Sequence, residues 1–490
     1  MYKNIHFYNS LKKKKENFFE VTGKKLGDTV LMYNCGPTVY SNAHIGNLSA
    51  YIMADLIRRF LDKDYFGEYK VIQAKNITDV GHLINDADDG EDKLDVQARK
   101  EKKDPLEIAK YYEELYLEDE KKLNLIEPEF RPRATETIKE MIETIEKLEK
   151  NGYTYELDDG VYFDVNKFEK YGELSGNTLD KIRDGVRIEV NEQKKSPADF
   201  ALWKKLIGVN ENHILNWDSP WGKGFPGWHI ECSAMATKHL GSVIDIHTGG
   251  EDNIFPHHEC EIAQSCGASG EDIFSHFWIH KRHVQVEGET MSKSKGNFYT
   301  LKDLEDKGIN PLDFRLLILM SHYRTRTNFT FNGVNAARKF REKFNRFYSM
   351  LNFYSTEGFP DGENTMKKQL EDSFKKQKLN IIKALCDDLN TPKMFAELNK
   401  MLSVTWHDVE IQSLSKDLAK DYKDYIEKID KVLGILEEPI PSHIEISRIM
   451  REEARKNKDW AKSDELRDDL RKQGYVVEDG PLGSTLKRVN

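Results

Sequence analysis

A strand, a turn, a helix and a second strand follow one another closely near the N-terminus, and this unit limits most strongly what the chain can fold into. Val30-Leu31-Met32-Tyr33-Asn34-Cys35 has the composition of a buried strand, and Gly36-Pro37 ends it. From Asn47 to Leu61 apolar residues recur at helical spacing: Leu48, Tyr51, Met53, Ala54, Leu56, Ile57, Phe60 and Leu61. Val71-Ile72-Gln73-Ala74 reads as the next strand, and Val243-Ile244-Asp245-Ile246 as a later one. Strand, helix and strand at such intervals predict a parallel α/β sheet.

The chain has 490 residues, which suggests about three domains. From Lys93 to about Lys204 it is charged and helical, with a β-like piece at Gly160-Val161-Tyr162-Phe163-Asp164-Val165, and it reads as an insertion between two halves of the sheet domain. Helical patterns rich in Lys, Glu and Leu run from Pro311 to Glu437 and predict a bundle. Pro439 and Pro441 make a hinge. A charged helical pair, Ile444 to Gly474, and the strand-like Tyr475-Val476-Val477-Glu478 complete the chain.

The 24 Phe, 21 Tyr and 7 Trp can fill real cores, which excludes a disordered chain. The longest aliphatic run, Leu316 to Met320, is far shorter than the ~20 apolar residues that span a bilayer, and the N-terminus lacks a signal peptide's apolar core. A soluble, cytoplasmic protein is expected. Five cysteines exclude a disulfide scaffold and leave the thiols as ligands, nucleophiles or packing groups. A net charge of -10 excludes a globally basic nucleic-acid binder, so any such face must be local.

Three constellations carry chemistry. In Gly36-Pro37-Thr38-Val39-Tyr40-Ser41-Asn42-Ala43-His44-Ile45-Gly46-Asn47 a strand end, a turn and a helix start put backbone N–H groups and a helix dipole where a phosphate could sit. Equally, Asn47 could be only an N-cap and His44 only a loop histidine. No Gly-x-Gly-x-x-Gly fingerprint supports a dinucleotide. In Gly288-Glu289-Thr290-Met291-Ser292-Lys293-Ser294-Lys295-Gly296-Asn297, glycines at both ends and Lys293 among hydroxyl residues describe a mobile loop able to lay an ammonium on a polyphosphate; a solvated surface loop is the plainer alternative. The third is metal chemistry. Pro256 suits the first position of a helix, His257 and Glu261 share a face four residues apart, and Cys260 is a rival ligand at three. Cys35 and Cys232 are further thiols, and zinc takes Cys, His and carboxylate ligands. Simple packing of buried Cys and His is the alternative.

Together these elements resemble the cysteinyl-tRNA synthetases, a family of class I aminoacyl-tRNA synthetases. Cys35-Gly36-Pro37-Thr38-Val39-Tyr40 matches the family's opening motif, His44-Ile45-Gly46-Asn47 its "HIGH" signature, and Met291-Ser292-Lys293-Ser294 its "KMSKS" loop. Pro226 to Met235, Phe255-Pro256-His257-His258-Glu259, Arg133-Ala134-Thr135-Glu136, Asp199-Phe200-Ala201-Leu202-Trp203-Lys204, Asp388-Leu389-Asn390-Thr391-Pro392 and Lys458 to Asp468 extend the match over almost the whole chain. The chain departs from the family at Thr290 and Lys295, where lysine and leucine are usual, at Cys260, often Asn, and at Phe225, often Arg.

The resemblance implies a Rossmann-like parallel-sheet catalytic domain in two halves (1–110 and 211–285) around an inserted connective domain (111–210). It also implies a mobile signature loop and stem-contact region (286–340), an α-helical tRNA-binding bundle (341–437) and a small C-terminal anticodon-binding domain (438–490). It implies activation of L-cysteine with ATP and transfer to the 3′ end of tRNA-Cys by a monomer. Zn²⁺, one per chain, would be held by Cys35, Cys232, His257 and Glu261, and Mg²⁺ would arrive with ATP. His44, Asn47 and Lys293 would be catalytic; Gly46, Asp252, Met291 and Ser292 would join them around ATP. Gly36, Thr78, Trp228 and His247 would line the cysteine pocket, and Trp460, Arg467 and Lys487 would contact tRNA. The rivals are a cysteine ligase of the mycothiol pathway, which should lack the C-terminal tail, and a non-catalytic tRNA-binding relative, which should have lost the signature residues.

Overall fold

The computed structural model describes residues 4–81, 83, 91–177, 193–292, 295–357, 365–410, 414–437, 440–480 and 483–488. The chain divides into two compact units, Met1–Val334 with Ala384–Pro392, and Asn335–Lys383 with Lys393–Asn490.

In the first unit a hairpin, β1 (His6–Asn9) and β2 (Lys14–Asn17), leads through α1 (Phe18–Thr22) into β3 (Thr29–Asn34). Then come α2 (Ile45–Leu61), β4 (Lys70–Lys75), α3 (Lys93–Glu101), α4 (Pro105–Lys122), α5 (Ile138–Lys150), and strands β5 (Thr154–Leu157), β6 (Gly160–Phe163), β7 (Phe200–Lys205) and β8 (Gly224–Pro226). The unit continues with α6 (Trp228–Leu240), β9 (Ile244–Gly250), α7 (His257–Ser269), β10 (Ser275–Lys281), β11 (Val284–Val286), β12 (Glu289–Thr290), α8 (Leu301–Asp306), α9 (Pro311–Met320) and β13 (Thr327–Phe329).

The central sheet is parallel, in the order β10-β9-β3-β4. Its strands read as near-continuous apolar runs because helices cover both faces; β3, for example, buries Val30, Met32, Tyr33 and Asn34. The connection from β3 runs toward β4, while β9 and β10 extend the sheet the other way, so the strand order reverses between β3 and β9. Open α/β sheets take ligands at the carboxyl ends of strands at such a reversal.

The insertion holds more β-structure than its charge suggests. β5, β6, β7 and β8 form a four-stranded antiparallel sheet, of which only the β6 region is legible from composition. β5 (Thr-Tyr-Glu-Leu) is short and half-buried, β7 is a buried six-residue strand, and the three-residue β8 joins the sheet from beyond residue 210. Phe225, on β8, stacks on His213 with centroids 3.9 Å apart. Asp55 and Arg315 tie α2 to α9 inside the core: Arg315 Nη2 donates to Asp55 Oδ2 at 2.5 Å, and Arg59 Nε to the same oxygen at 2.7 Å.

The run Asp388-Leu389-Asn390-Thr391-Pro392, which the sequence pattern places inside the helical part, packs in the first unit. Asp388 is fully buried; it accepts the backbone N–H of Tyr8 at 2.8 Å, Arg324 Nε at 2.7 Å and the Tyr323 hydroxyl.

The second unit is helical: α10 (Phe331–Glu357, which begins in the first unit), α11 (Thr365–Cys386, which ends in it), α12 (Thr391–Glu410, which begins in it), α13 (Lys416–Leu433), α14 (Ser442–Lys456) and α15 (Trp460–Lys472), then a hairpin of β14 (Tyr475–Gly480) and β15 (Gly483–Arg488). Ile444, Leu470 and Tyr475 make a small core that packs α14 and α15 on the hairpin. Among the described residues no helix is long and apolar enough to cross a membrane.

Candidate active site

At the carboxyl edge of the sheet, between β3 and β9, four buried groups converge. Cys35 leaves the end of β3, Cys232 stands on α6, and His257 and Glu261 lie one turn apart on α7. Cys35 Sγ lies 3.9 Å from Cys232 Sγ and 3.6 Å from Glu261 Oε1, and His257 Nε2 is 3.1 Å from the same carboxylate oxygen. A tetrahedral zinc site with bonds of ~2.0–2.3 Å has ligand–ligand edges of about 3.3–3.8 Å, so two thiols, an imidazole and a carboxylate at these separations fit that ion. Cys260 does not join them: its Sγ lies 3.5 Å from Tyr171 Oη.

The cluster polarises its own members. Burial raises the Cys232 thiol, but the hydrogen bond from Cys35 and the charge of His257 outweigh it and bring Cys232 down to about 6. Burial likewise opposes ionisation of Glu261, yet His247 and His257 hold it well below the usual carboxylate range. Cys35 is pushed up, first by burial and then by Cys232.

Further histidines surround these groups, and the sequence pattern did not single most of them out. His229 Nδ1 meets His257 Nδ1 at 3.0 Å, which orients the ring so that Nε2 faces the cluster. His247 Nε2 bonds Glu261 Oε2 at 2.9 Å. His258 Nε2 lies 3.3 Å from Cys35 Sγ, and its Nδ1 continues to His280 Nε2 at 2.8 Å and from there to Ser10. Cys35, His247, His258 and Glu261 thus form a second, overlapping group of potential ligands. A signal was available: His257 and His258 stand four and three residues before Glu261, and both spacings share its helix face.

Aromatic and hydroxyl groups border the cluster. Trp228, the first residue of α6, stacks on His257 at 4.5 Å, and His247 stacks on Trp278 at 4.3 Å. Thr78 Oγ1 donates to Glu231 Oε2 at 3.0 Å and accepts Asn76 Nδ2 at 3.1 Å; Asn76 Oδ1 in turn accepts the Gly36 N–H at 2.8 Å. A side chain at Gly36 is impossible, because its Cβ would lie 1.8 Å from Asn76 O. Burial pushes the Glu231 carboxyl well above its usual range.

Beside the cluster α2 begins, and its cap corrects one expectation. His44, not Asn47, is the N-cap: its Nδ1 accepts from Gly46 N at 3.0 Å and Asn47 N at 3.3 Å, while Asn47 Oδ1 accepts the His44 N–H. Ile45 N–H goes to Tyr299 O and Leu48 N–H to His44 O. The first-turn amides are therefore engaged, so an anion here meets the helix dipole and the His44 ring rather than open backbone donors. With Nδ1 accepting, the neutral ring carries its proton on Nε2.

The second signature returns to the first. Met291 reaches α2, since a methyl on Gly46 would meet its Cε at 3.1 Å. Phe298 sets its ring 4.9 Å from that of His44, and Thr300 bridges to His44. Asn297 folds the loop, accepting Ser292 N–H at 2.8 Å and donating to Thr290 O. Lys293 lies outside the described residues. Lys295 pairs with Glu289 at 3.0 Å on the surface. Asp252, on the short turn after β9, faces His283 at 3.7 Å.

In the second unit Trp460 is 58% exposed, with the Arg455 guanidinium 6.0 Å from its ring. Arg467 is exposed and pairs with Asp464 at 3.2 Å. Lys487 lies on β15 opposite Val476.

Comparison with known proteins agrees with this arrangement. The family described as tRNA synthetases class I (C) catalytic domain matches residues 22–339, and the cysteinyl-tRNA ligase anticodon binding domain matches 450–484. A cysteine–tRNA ligase of Chlorobaculum tepidum is 41% identical, with 98% of each chain covered. One of Treponema denticola is 38% identical over 99% of this chain and 100% of its own. Among solved structures, a Mycobacterium tuberculosis methionyl-tRNA synthetase bound by methionyl-adenylate superposes with a TM-score of 0.57 at 12% identity, covering 83% of this chain and 92% of its own. A leucyl-tRNA synthetase of Agrobacterium radiobacter reaches 0.60 at 10% identity, covering 84% of each chain. These two share the fold.

Proposed function

The chain belongs to the cysteine–tRNA ligase family and is an ATP-dependent ligase, and on that premise we propose that it activates L-cysteine as cysteinyl-adenylate and transfers it to the 3′ end of tRNA-Cys. The observation that carries the reading is the buried Cys35–Cys232–His257–Glu261 group at the strand-order reversal, flanked by both signature elements. Those four residues would hold a zinc ion. When bound, zinc supplies a soft Lewis-acid site that prefers a thiolate to a hydroxyl. Serine then loses the main polar contact, a loss able to discriminate by ~10⁴ or more without editing.

Gly36, Thr78, Trp228 and His247 border the group and line the pocket for the amino acid. The cysteine carboxylate attacks the ATP α-phosphate in line, releasing pyrophosphate, and positioning plus charge stabilisation supply the rate. His44 and Asn47, locked in one cap, present the nucleotide's phosphates to the Nε2–H of His44 and the positive end of α2. Gly46 lets Met291 close over that turn, while Ser292 and Lys293 approach from the loop. Asp252 takes the ribose hydroxyls, and Mg²⁺ arrives with ATP. In the second unit Trp460, Arg467 and Lys487 offer a stacking surface and cations to tRNA. The anticodon-domain match speaks against a mycothiol-type ligase, and retention of His44, Lys293 and the four ligands speaks against a non-catalytic relative. The protein is read as a cytoplasmic monomer.

The test is ATP–pyrophosphate exchange on metal-assayed protein, comparing cysteine, serine and no amino acid. Exchange that requires cysteine, rejects serine and scales with bound zinc supports the proposal. Absence of exchange from folded, zinc-loaded protein removes it.

A further inference from the structure

Glu251 and Asp252 stand side by side on the short turn that leaves β9, and they are held unequally. Glu251 is fixed from several directions. Arg282 Nε lies 3.0 Å from its Oε1, while its Oε2 accepts the backbone N–H of His283 at 3.3 Å and faces His283 Nδ1 at 3.1 Å. The side chain of Asp252 is 68% exposed, and among the described residues its one cationic partner within ion-pair distance is His283, whose Nε2 lies 3.7 Å from Oδ1. His283 stands between β10 and β11, so it reaches the turn from the exit of the neighbouring strand. A single imidazole thus straps the loosely held acid to the fixed one.

That arrangement sets the charge of the ring. A carboxylate only accepts and a neutral imidazole has one N–H, so a ring with a carboxylate at each nitrogen serves both only as the imidazolium. The charged groups around it are Glu251 and Asp252 from the turn, Arg282 in its own segment and Arg326 from the segment before β13. Contact with Asp252 raises the proton affinity of the ring, joined by the charges of Asp252 and Glu251, and these outweigh burial and the opposing charge of Arg326. A ring that loses a proton keeps the other on Nδ1, at the nearer carboxylate, and turns a lone pair toward Asp252. Glu251 then stays in place on Arg282 and the backbone N–H, while Asp252 loses its partner. We propose that His283 is a positioning residue for ATP, its imidazolium holding the Asp252 carboxylate where that group accepts the ribose hydroxyls. This rests on the reading that Asp252 takes the ribose. Affinity for the ribose hydroxyls, and not for the rest of the nucleotide, then falls as pH rises through the titration of His283.

The experiment compares the dissociation constants of ATP and 2′,3′-dideoxy-ATP, which keeps the base and phosphates and lacks both ribose hydroxyls, on the full-length wild type, His283→Leu and His283→Arg. Titration of the phosphates is common to the two nucleotides and cancels in their ratio. An ion pair at an exposed position contributes about two- to fivefold in an equilibrium. The wild-type preference for ATP should therefore fall by about that factor from about pH 6 to about pH 9, across the titration of a histidine. His283→Leu should show the lowered preference at both pH values. His283→Arg, whose charge does not titrate in this range, should keep the preference at both. A wild-type preference that is equal at the two pH values overturns the proposal. So does a His283→Leu protein that keeps the wild-type preference at the lower pH, or that loses both nucleotides alike. Should His283→Leu fail to fold, a His283→Arg preference that falls with pH as in the wild type overturns it as well. Failure of the parent reading shows differently, as an Asp252→Asn protein whose preference for ATP equals that of the wild type, and it takes the proposal with it.

Discussion

Phe298 stands edge-on to His44, ring centroids 4.9 Å apart at 68°, and joins the end of the signature loop to the cap of α2. The neighbouring Ile45 N–H to Tyr299 O bond, at 2.9 Å, makes the junction continuous backbone. The loop is thus anchored at its exit on His44, the residue proposed to meet the phosphates. An aromatic pair of this kind contributes about 0.5–1.5 kcal/mol, which is ~2–10-fold in an equilibrium constant. Phe298→Ala should raise the ATP KM by that factor and leave zinc content and the cysteine KM unchanged. An unaltered ATP KM in pyrophosphate exchange would mean that the junction does not position the loop.

On the proposed function, Lys293 meets the charge that develops on the α-phosphate. Loss of one preorganised cationic or donor contact to a transition state costs about 10²–10³ in rate. Lys293→Ala should therefore slow single-turnover adenylate formation by at least that much while metal content and cysteine affinity stay at wild-type values. Lys295 does not stand ready to substitute, because it is paired with Glu289. Adding Glu289→Ala to Lys293→Ala, which releases Lys295, should therefore recover part of the rate.

Metal affinity is expected to depend on His229 although it is not itself a ligand. Its 3.0 Å contact fixes the His257 ring. A group that hydrogen-bonds the far nitrogen of a metal-binding histidine typically matters by 10- to 100-fold in affinity. His229→Leu should weaken zinc binding by about that factor, read by competition with a chromophoric chelator, with less effect than Cys232→Ser. If His229→Leu binds zinc as tightly as wild type, the contact orients nothing.

The parts of the molecule that the sequence exposes are those governed by short periods. β3, α2, β4 and β9 lie where apolar runs and helical spacing place them, because a buried parallel strand and an amphipathic helix each write their burial into consecutive residues. Helical spacing pairs His257 with Glu261, but Cys35 and Cys232 stand far from them in the chain, and only the family resemblance joined all four before the fold did. The role of His44 as its own helix cap was hidden, since histidine is an uncommon cap and Asn47 is the better one by type. The antiparallel sheet of the insertion was hidden too, because β5 and β8 are short and the apolar run of β7 does not by itself name its partners. The packing of Asp388 depends on the backbone N–H of Tyr8, 380 residues away, and on the side chains of Tyr323 and Arg324, 65 and 64 residues away, which no local pattern encodes.

Asp55 holds two guanidinium groups, Arg59 and Arg315, in the core, and these keep its carboxylate ionised despite burial. Removing the carboxylate leaves two buried cations without their partner, a change of the kind that costs about 3–5 kcal/mol. Asp55→Ala should lower the urea midpoint accordingly. Asp55→Ala with Arg315→Met should recover part of the loss, because one stranded charge is then replaced by apolar volume. An Asp55→Ala midpoint equal to wild type would mean that water reaches the arginines.

Lys281 is 2% exposed at the end of β10, donating to Arg282 O at 3.0 Å and Thr327 Oγ1 at 3.1 Å. Burial depresses its ammonium to about 8, against the weaker pull of Glu251. The unfolded chain keeps a lysine near 10.4. Between about pH 8 and 10.4 the unfolded state therefore binds the extra proton, so this residue makes stability rise with pH across that window. Below pH 8 both states are protonated and the burial cost is constant. The gain over the full window is at most roughly 3 kcal/mol, at about 1.36 kcal/mol for each pH unit of separation. Lys281→Met lacks the titrating group, so its stability relative to wild type should be greatest near pH 7 and should fall as pH is raised to 10. Urea midpoints at pH 7 and pH 10 measure it, the other lysines cancelling between the two proteins. Parallel pH dependences would show that the buried amine is hydrated and titrates as in the unfolded chain.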